Sequence, residues 1–508
     1  MNRGFGFVAG VVAFVALLAA PAPPDLPYPA RVTAAVAALM SIWWLTQALP
    51  IAVTSLVPLV LLPALGAMDA GAISAPYANK TNFLFLGGLM LATAIERWGL
   101  HRRMALRVLS AFGDRPSRLV LGFMASTAML SAWISNAATT MMMLPIAVAV
   151  CDHVQARDAR VGAVLSPILL VAVAYAATIG GLATIVGTPP NAVFVGMFTQ
   201  MFPAAPPVSF VSWMTFGVPI VLVLVPLSWF YLVRIASKVA TCRLAGNVDV
   251  FRTELAALGR MSRSERRVLL TFASTALAWI FLRPVDLGPF VVPGWSSLLP
   301  NPRFVDDSTV AIAAALALFC LPAGDEKGSR LLDWQSAVRL PWGIVLLLGS
   351  GFALAEATTA TGLATWLGER LAWVGSAPPW VAILIVSLVT CFATEFMNNT
   401  AIATIMLPIV AASAVAGGCD PRLLMVPCTL AASLGFMMPN GTAPNAIVFA
   451  GGRLTVAFMA RTGLAINIAG TLIMALLVYT LAVPALGIQL EGKPSWAVLA
   501  TGTSEHSP

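Results

Sequence analysis

The chain has 508 residues, of which 59% are hydrophobic and only 10% charged. A soluble domain needs far more charge to cover its surface, so this composition excludes one and points to an all-α polytopic membrane protein surrounded by the lipid bilayer. The net charge of +8 is then a matter of topology, since basic residues gather in cytoplasmic loops, and gives no reason to invoke nucleic acid.

The opening run, MNRGFGFVAGVVAFVALLAAPA, has a basic start, an apolar core and small residues. It reads as a first transmembrane helix within 1–30, with a cleaved secretory signal as the alternative. Further apolar runs predict helices near 31–48, 51–68, 81–98, 164–198, 211–235, 267–283, 308–322, 340–363, 423–451 and 462–486, about eleven transmembrane helices in all. Two more stretches, 119–150 and 378–415, are apolar but carry polar breaks near their middles. We read them as re-entrant hairpins, because non-helical backbone at membrane depth is tolerated only where protein or a water-filled cavity satisfies it. Two ordinary helices, or one long kinked helix, are the alternative for each.

Loop charge gives the orientation. The segment from Arg97 to Arg118 holds six arginines, and 236–267 holds Lys238, Arg243, Arg252, Arg260, Arg263, Arg266 and Arg267. The loop 199–210, TQMFPAAPPVSF, has no charge. These counts predict a multi-pass protein of the inner (plasma) membrane with the N-terminus in the cytoplasm. The cytoplasmic loop 236–266 has room for an interfacial helix, and the C-terminal tail 487–508 lies outside. None of the six cysteines shows CxxC spacing, so neither a metal knuckle nor a disulfide frame is indicated.

The chain repeats itself. In LFLGGLMLATAIERWGL (84–100) and LLLGSGFALAEATTATGL (346–363), Gly88 matches Gly351 and Gly99 matches Gly362, an offset of 263 (351 − 88). In ISNAATTMMMLPI (134–146) and MNNTAIATIMLPI (397–409), Asn136 matches Asn399 at the same offset (399 − 136). GTPPNA (187–192) echoes GTAPNA (441–446) at 254 (441 − 187). The repeats are 31–235, with hairpin 119–150 and a broken helix around 187–191, and 267–486, with hairpin 378–415 and a broken helix around 441–445. Five full spans separate the matched helices 81–98 and 340–363, so the repeats are inverted, the architecture of alternating-access transporters.

The two asparagine-bearing tips and the two Gly-Thr-Pro/Ala-Pro-Asn breaks are four polar points related by the repeat. Prolines at 189, 190 and 444 remove backbone donors and free the carbonyls of Gly187 and Gly441. Asn136 and Asn399 each offer an amide oxygen and two N–H donors. Such oxygens suit a hard monovalent cation such as sodium, while half-helix N-termini suit an anion. Cation and anion sites side by side are the chemistry of an anion symporter. Glu395 stands out just before the second tip, and we read it as a salt-bridged structural carboxylate ahead of a direct ligand. An integral-membrane enzyme would need clustered His, Asp or Glu at membrane depth, and the sequence has no such cluster.

These motifs, with IWWLTQALPIAVTSLVPLVLLPALG (42–66), GLHRRMAL (99–106), TEFMNNTA (394–401) and GTAPNAIVF (441–449), resemble the divalent anion/sodium symporter family of di- and tricarboxylate and sulfate carriers. The resemblance runs over most of the chain. It implies inverted repeats, two re-entrant hairpins, a homodimeric scaffold domain and a transport domain that moves as an elevator. It also implies co-transported sodium ions, one held by Ser131, Ser135, Asn136 and the region of Gly187, the other by Thr394, the Met397 carbonyl, Asn399 and Gly441. The small dianionic substrate would meet Ser135, Asn136, Thr188, Asn398, Asn399, Thr400 and Thr442. The family carries Ser-Asn-Thr at each tip, whereas this chain has Ser135-Asn136-Ala137 and Asn398-Asn399-Thr400, departures that bear on substrate identity. Sodium-coupled symport of C4-dicarboxylates such as succinate, malate or fumarate is the leading expectation. A sodium-independent exchanger, or a sodium-coupled citrate or sulfate carrier, is the alternative. An exchanger would need a fixed Lys, Arg or His, and 119–150, 164–200, 385–415 and 431–451 contain none.

Overall fold

A computed structural model describes residues 3–21, 23, 25–112, 115–237, 239, 250–286, 291–326 and 328–499. Parts of the predicted N-terminal helix, the 236–266 loop and the C-terminal tail therefore lie outside the described residues. Within them the chain is mostly helical, with one short antiparallel ribbon, Val285–Asp286 against Val291–Val292.

Six single helices among the described residues are long and apolar enough to cross a membrane: Asn136–Arg157, Ala159–Ala183, Phe210–Ile235, Trp342–Ala360, Asn399–Ala416 and Val456–Leu486. Arg3–Ala19, Ile51–Ala64, Asp307–Cys320, Pro379–Ala393 and Arg422–Ala431 are apolar but shorter. Several predicted runs divide where proline makes division cheap. The run 51–68 splits into Ile51–Thr54 and Val57–Ala64, the second with proline in its first turn. The run 164–198 stops at Gly180, passes through a 3-10 turn, and restarts at Pro189. The run 423–451 leaves Arg422–Ala431, an open segment, and Ala443–Ala450.

The arginine-rich segment after Arg97 is not a loop. It folds as the helix Leu100–Phe112, bent 71° from the helical segment before it. The bend is made at Gly99, whose φ of 71° is left-handed, and the repeat partner Gly362 makes the same turn with φ 83° before Leu363–Gly375. An L side chain at such a φ costs roughly 1–2 kcal/mol, so glycine suits the turn at both matched positions. Leu100, Arg103, Leu106 and Leu109 turn one face of the helix inward. Arg103 is buried there and donates to Glu265 at 2.8 Å and to the Gly259 carbonyl at 2.8 Å. Burial alone would raise the Glu265 carboxyl. The Arg103 guanidinium and the Ser262 cap outweigh it and hold the group below its ordinary value. The short helix Val250–Ala257 packs nearby, with Arg102 paired to Glu254 at 2.6 Å.

The core lies around helix Ala159–Gly180, which is buried continuously from Ile168 to Gly180. Helices Pro116–Ser131, Asn136–Arg157 and Phe210–Phe230 pack on it, and Ala443–Ala450 reaches it from the other half of the chain. Every residue of Arg422–Ala431 is buried as well.

Candidate cation and anion site

Each polar break is a helix end followed by a helix start. The first runs from Ser131 to Asn136, and the second from Ala393 to Asn399. Ser135 caps Asn136–Arg157 by accepting from the Ala138 N–H at 3.3 Å, and Asn398 caps Asn399–Ala416 by accepting from the Thr400 N–H at 2.9 Å. Capping takes the Asn398 oxygen and leaves its two amide N–H groups without a partner among the described residues.

Behind each tip lies a group of oxygens. Ser131 Oγ lies 2.6 Å from the Ala177 carbonyl and 2.8 Å from the Asn136 amide. The Asn136 amide is best assigned with its nitrogen inward, 3.1 Å from the Ala177 carbonyl, 3.2 Å from the Gly187 carbonyl and 2.8 Å from Ser131 Oγ. Turned the other way, its oxygen joins three others with no hydrogen bridging it to the two carbonyls. Four oxygens that converge unless an amide rotates can hold a hard cation. The second break is built alike. Thr394 Oγ1 lies 2.7 Å from the Ala432 carbonyl and 3.0 Å from Asn399 Oδ1. Close backbone approach explains Gly187, where a Cβ would come within 2.5 Å of the Gly181 carbonyl.

One cavity of about 870 Å³ joins the two halves, and Ser135, Asn136, Thr188, Asn398, Asn399, Thr400 and Thr442 all line it. Of the other residues named from the sequence, Ser131 and Thr394 are fully buried behind the tips. Gly187 and Gly441 lie in the broken helices, and Met397 in the second turn.

Two arginines, outside 119–150, 164–200, 385–415 and 431–451, reach the cavity wall. Arg97 is held by Asp333 at 2.6 Å and Ser336 at 3.0 Å, whereas Arg339 is exposed and has no ion-pair partner among the described residues. Neither was found from sequence because both lie at helix ends that the chain brings back to the tips.

Two further residues were missed. Asn191 donates to the carbonyls of Gly181 at 3.1 Å and Thr184 at 2.8 Å, closing the first broken helix. Asn445 does the same to Gly435 at 3.2 Å and Met438 at 3.1 Å. They are the final asparagines of GTPPN and GTAPN, so the 254-residue offset contained the signal (445 − 191).

Glu395 corrects an expectation. It forms no salt bridge among the described residues. Its oxygens accept from the backbone N–H groups of Phe436, Met437 and Met438 at 2.7, 2.9 and 2.9 Å, and from the Asn467 amide at 2.5 Å. It is the acceptor that holds the open segment of the second broken helix.

The sodium:sulfate symporter transmembrane region family matches residues 2–486. The chain belongs to this family. Its relatives are transporters, not enzymes. A sodium-dependent dicarboxylate transporter, SdcS, of Staphylococcus saprophyticus is 39% identical over 96% of this chain and 92% of its own length. SdcS of Staphylococcus aureus strain MRSA252 is 37% identical over the same shares. Among solved structures, the Alcanivorax borkumensis YdaH transporter superposes with a TM-score of 0.56 at 14% identity, covering 89% of this chain and 99% of that one. Neisseria gonorrhoeae MtrF gives 0.55 at 12%, covering 95% and 100%. At such identities the likeness to these two concerns the fold alone.

Proposed function

We propose that this family member is a sodium-coupled importer of C4-dicarboxylates such as succinate, malate or fumarate, working by an elevator movement of a transport domain against a dimeric scaffold. The observation that carries this reading is the convergence of seven polar groups from both halves on one cavity, each tip backed by its own oxygen cluster. Sodium at Ser131, Ser135, Asn136 and Gly187, and at Thr394, Met397, Asn399 and Gly441, supplies the positive charge that the tips lack. The dianion lies across Ser135, Asn136, Thr188, Asn398, Asn399, Thr400 and Thr442. Both SdcS relatives, named as sodium-dependent dicarboxylate transporters, support the choice of ion and substrate. Uptake of labelled succinate by proteoliposomes, with and without sodium, is the test. Uptake is expected to need sodium and to be competed by malate and fumarate more than by citrate or sulfate. The exposed Arg339 favours a second reading, sodium-independent exchange, which the same assay detects as uptake in sodium-free buffer with counter-anion inside.

The orientation is testable separately. A cysteine at exposed Ala204 should react with an impermeant thiol reagent added to intact spheroplasts, and one at exposed Ala256 should not. Labelling at Ala256 under these conditions overturns a cytoplasmic 236–266 segment.

Substrate choice should respond to the altered triplets. Asn398→Ser keeps a helix cap of equal quality but removes the two free N–H donors, and Ala137→Thr adds a hydroxyl at the opposite tip. The double variant is expected to change the relative uptake of succinate, citrate and sulfate with its sodium dependence intact. Constant selectivity with an altered sodium response would show that these residues serve the cation.

A further inference from the structure

The two halves close their broken helices differently, and the difference links them. In the first half the carbonyl of Leu182 is taken by the Trp213 indole N–H at 3.0 Å, so the break is closed by its own half. The equivalent carbonyl in the second half is Phe436 (182 + 254). Asn467 stands where Trp213 would be (213 + 254), but it serves the Phe436 N–H at 3.1 Å and Glu395, not the carbonyl. That carbonyl is taken instead by the Tyr175 hydroxyl of the first half, at 3.1 Å. Tyr175 is fully buried, and its ring lies 4.7 Å from that of Phe436. Among the described residues there is no reciprocal bond from the second half to the Leu182 carbonyl. At the offset of 254 Tyr175 falls opposite Thr429, whose hydroxyl donates to the Met425 carbonyl of its own helix at 2.7 Å, and at the 255 of the Ala177 and Ala432 contacts (432 − 177) it falls opposite Leu430, which has none.

This bond lies on a short path between the two oxygen clusters. Ala177, whose carbonyl belongs to the first, is two residues beyond Tyr175 on the same helix. Phe436 donates to Glu395, the residue next to Thr394 of the second cluster. We infer that Tyr175 is a positioning residue that makes the two sodium sites cooperative, an inference that rests on the sodium-coupled reading above. A cation on the first cluster fixes the Ala177 carbonyl and with it the end of helix Ala159–Gly180. The Tyr175 hydroxyl then holds the 432–442 segment in the form the second cation needs. By linkage the second cation favours the first by the same factor.

The test compares wild type, Tyr175→Phe and Trp213→Phe by two measurements: sodium activation of succinate uptake, and sodium protection of the purified protein against thermal unfolding without substrate. Tyr175→Phe keeps the ring and its packing and removes only the hydroxyl. Its Hill coefficient for sodium should fall toward one in both measurements. Half-saturating sodium should rise by roughly two- to tenfold, the worth of one net hydrogen bond, with the maximal rate retained. Trp213→Phe, which opens only the first break, should shift half-saturation and leave the Hill coefficient alone. An unchanged Hill coefficient in Tyr175→Phe, complete loss of its sodium response, or an equal fall in Trp213→Phe overturns the coupling role. A sodium-dependent wild type with a Hill coefficient of one also overturns it, while the transport reading stands. A wild type indifferent to sodium removes the reading on which it rests.

Discussion

Replacing Asn136 or Asn399 with alanine is expected to raise the half-saturating concentrations of both sodium and succinate by about ten- to a hundredfold. In the proposed binding mode each substitution removes an amide oxygen from one cation cluster and N–H donors from the anion cavity. A hydrogen bond to a charged group is worth roughly 1.5–3 kcal/mol, and each 1.4 kcal/mol is about tenfold in affinity. Both variants should be impaired, because the clusters at Ala177 and Ala432 are separate and neither asparagine can stand in for the other. Asn136→Ala also leaves the Ser131 hydroxyl with its Ala177 bond, so the fold should survive. The measurement is uptake against sodium concentration at fixed succinate, and the reverse. Normal transport by either variant would make the repeated asparagine a helix-packing residue and remove the basis for its cation site.

Glu395→Ala is expected to cost roughly 3–5 kcal/mol of stability, because it removes an acceptor shared by four N–H donors and a lost or unsatisfied hydrogen bond of this kind costs about 1–3 kcal/mol. The carboxylate is buried and is the acceptor for Met437 and Met438, and one of two for Phe436. Without it, the Met437 and Met438 N–H groups and the Asn467 amide lose their acceptor, while the Phe436 N–H keeps only the Asn467 oxygen at 3.1 Å. Glu395→Gln keeps one acceptor oxygen and should fall between wild type and alanine. Thermal unfolding in detergent without sodium reads this directly, separating stability from transport. A Glu395→Ala protein that melts with the wild type would mean that the open segment is held by other contacts.

The sequence revealed the repeat more clearly than its individual elements. Asn136 and Asn399, and Gly99 and Gly362, pair by an offset that needs no knowledge of structure, and in the fold each pair shares one physical task. Asn191 and Asn445 carried the same signal, but the prolines beside them drew the reading toward freed carbonyls and away from the amides that tie those breaks shut. The helix Leu100–Phe112 is hidden in the sequence because its arginines read as loop charge. The spacing of Leu100, Arg103, Leu106 and Leu109 shows the buried face once the burial of Arg103 is known. Glu395 was misread for a different reason. A lone carboxylate in apolar sequence suggests a cationic partner, whereas its partners are backbone N–H groups 41 to 43 residues further on, which no side-chain pattern reveals. Arg97 and Arg339 escaped because membership of a cavity wall depends on how helix ends meet.

The unequal closure of the two breaks bears on how the protein is made. Trp213, Thr184 and Asn191 all belong to the amino-terminal half, so that half can complete its own broken helix as soon as it leaves the ribosome. The carboxy-terminal half makes the matching Asn445 and Glu395 contacts itself but leaves one group over, since the Phe436 carbonyl waits for a hydroxyl made some 260 residues earlier (436 − 175 = 261). Synthesis from the N-terminus delivers the self-sufficient half first, and domains generally fold in that order. The later half is then threaded against a finished template, and Tyr175 is already in place when the 432–442 segment arrives. Reversing the order of the halves by circular permutation would present the dependent half to the membrane before its partner exists.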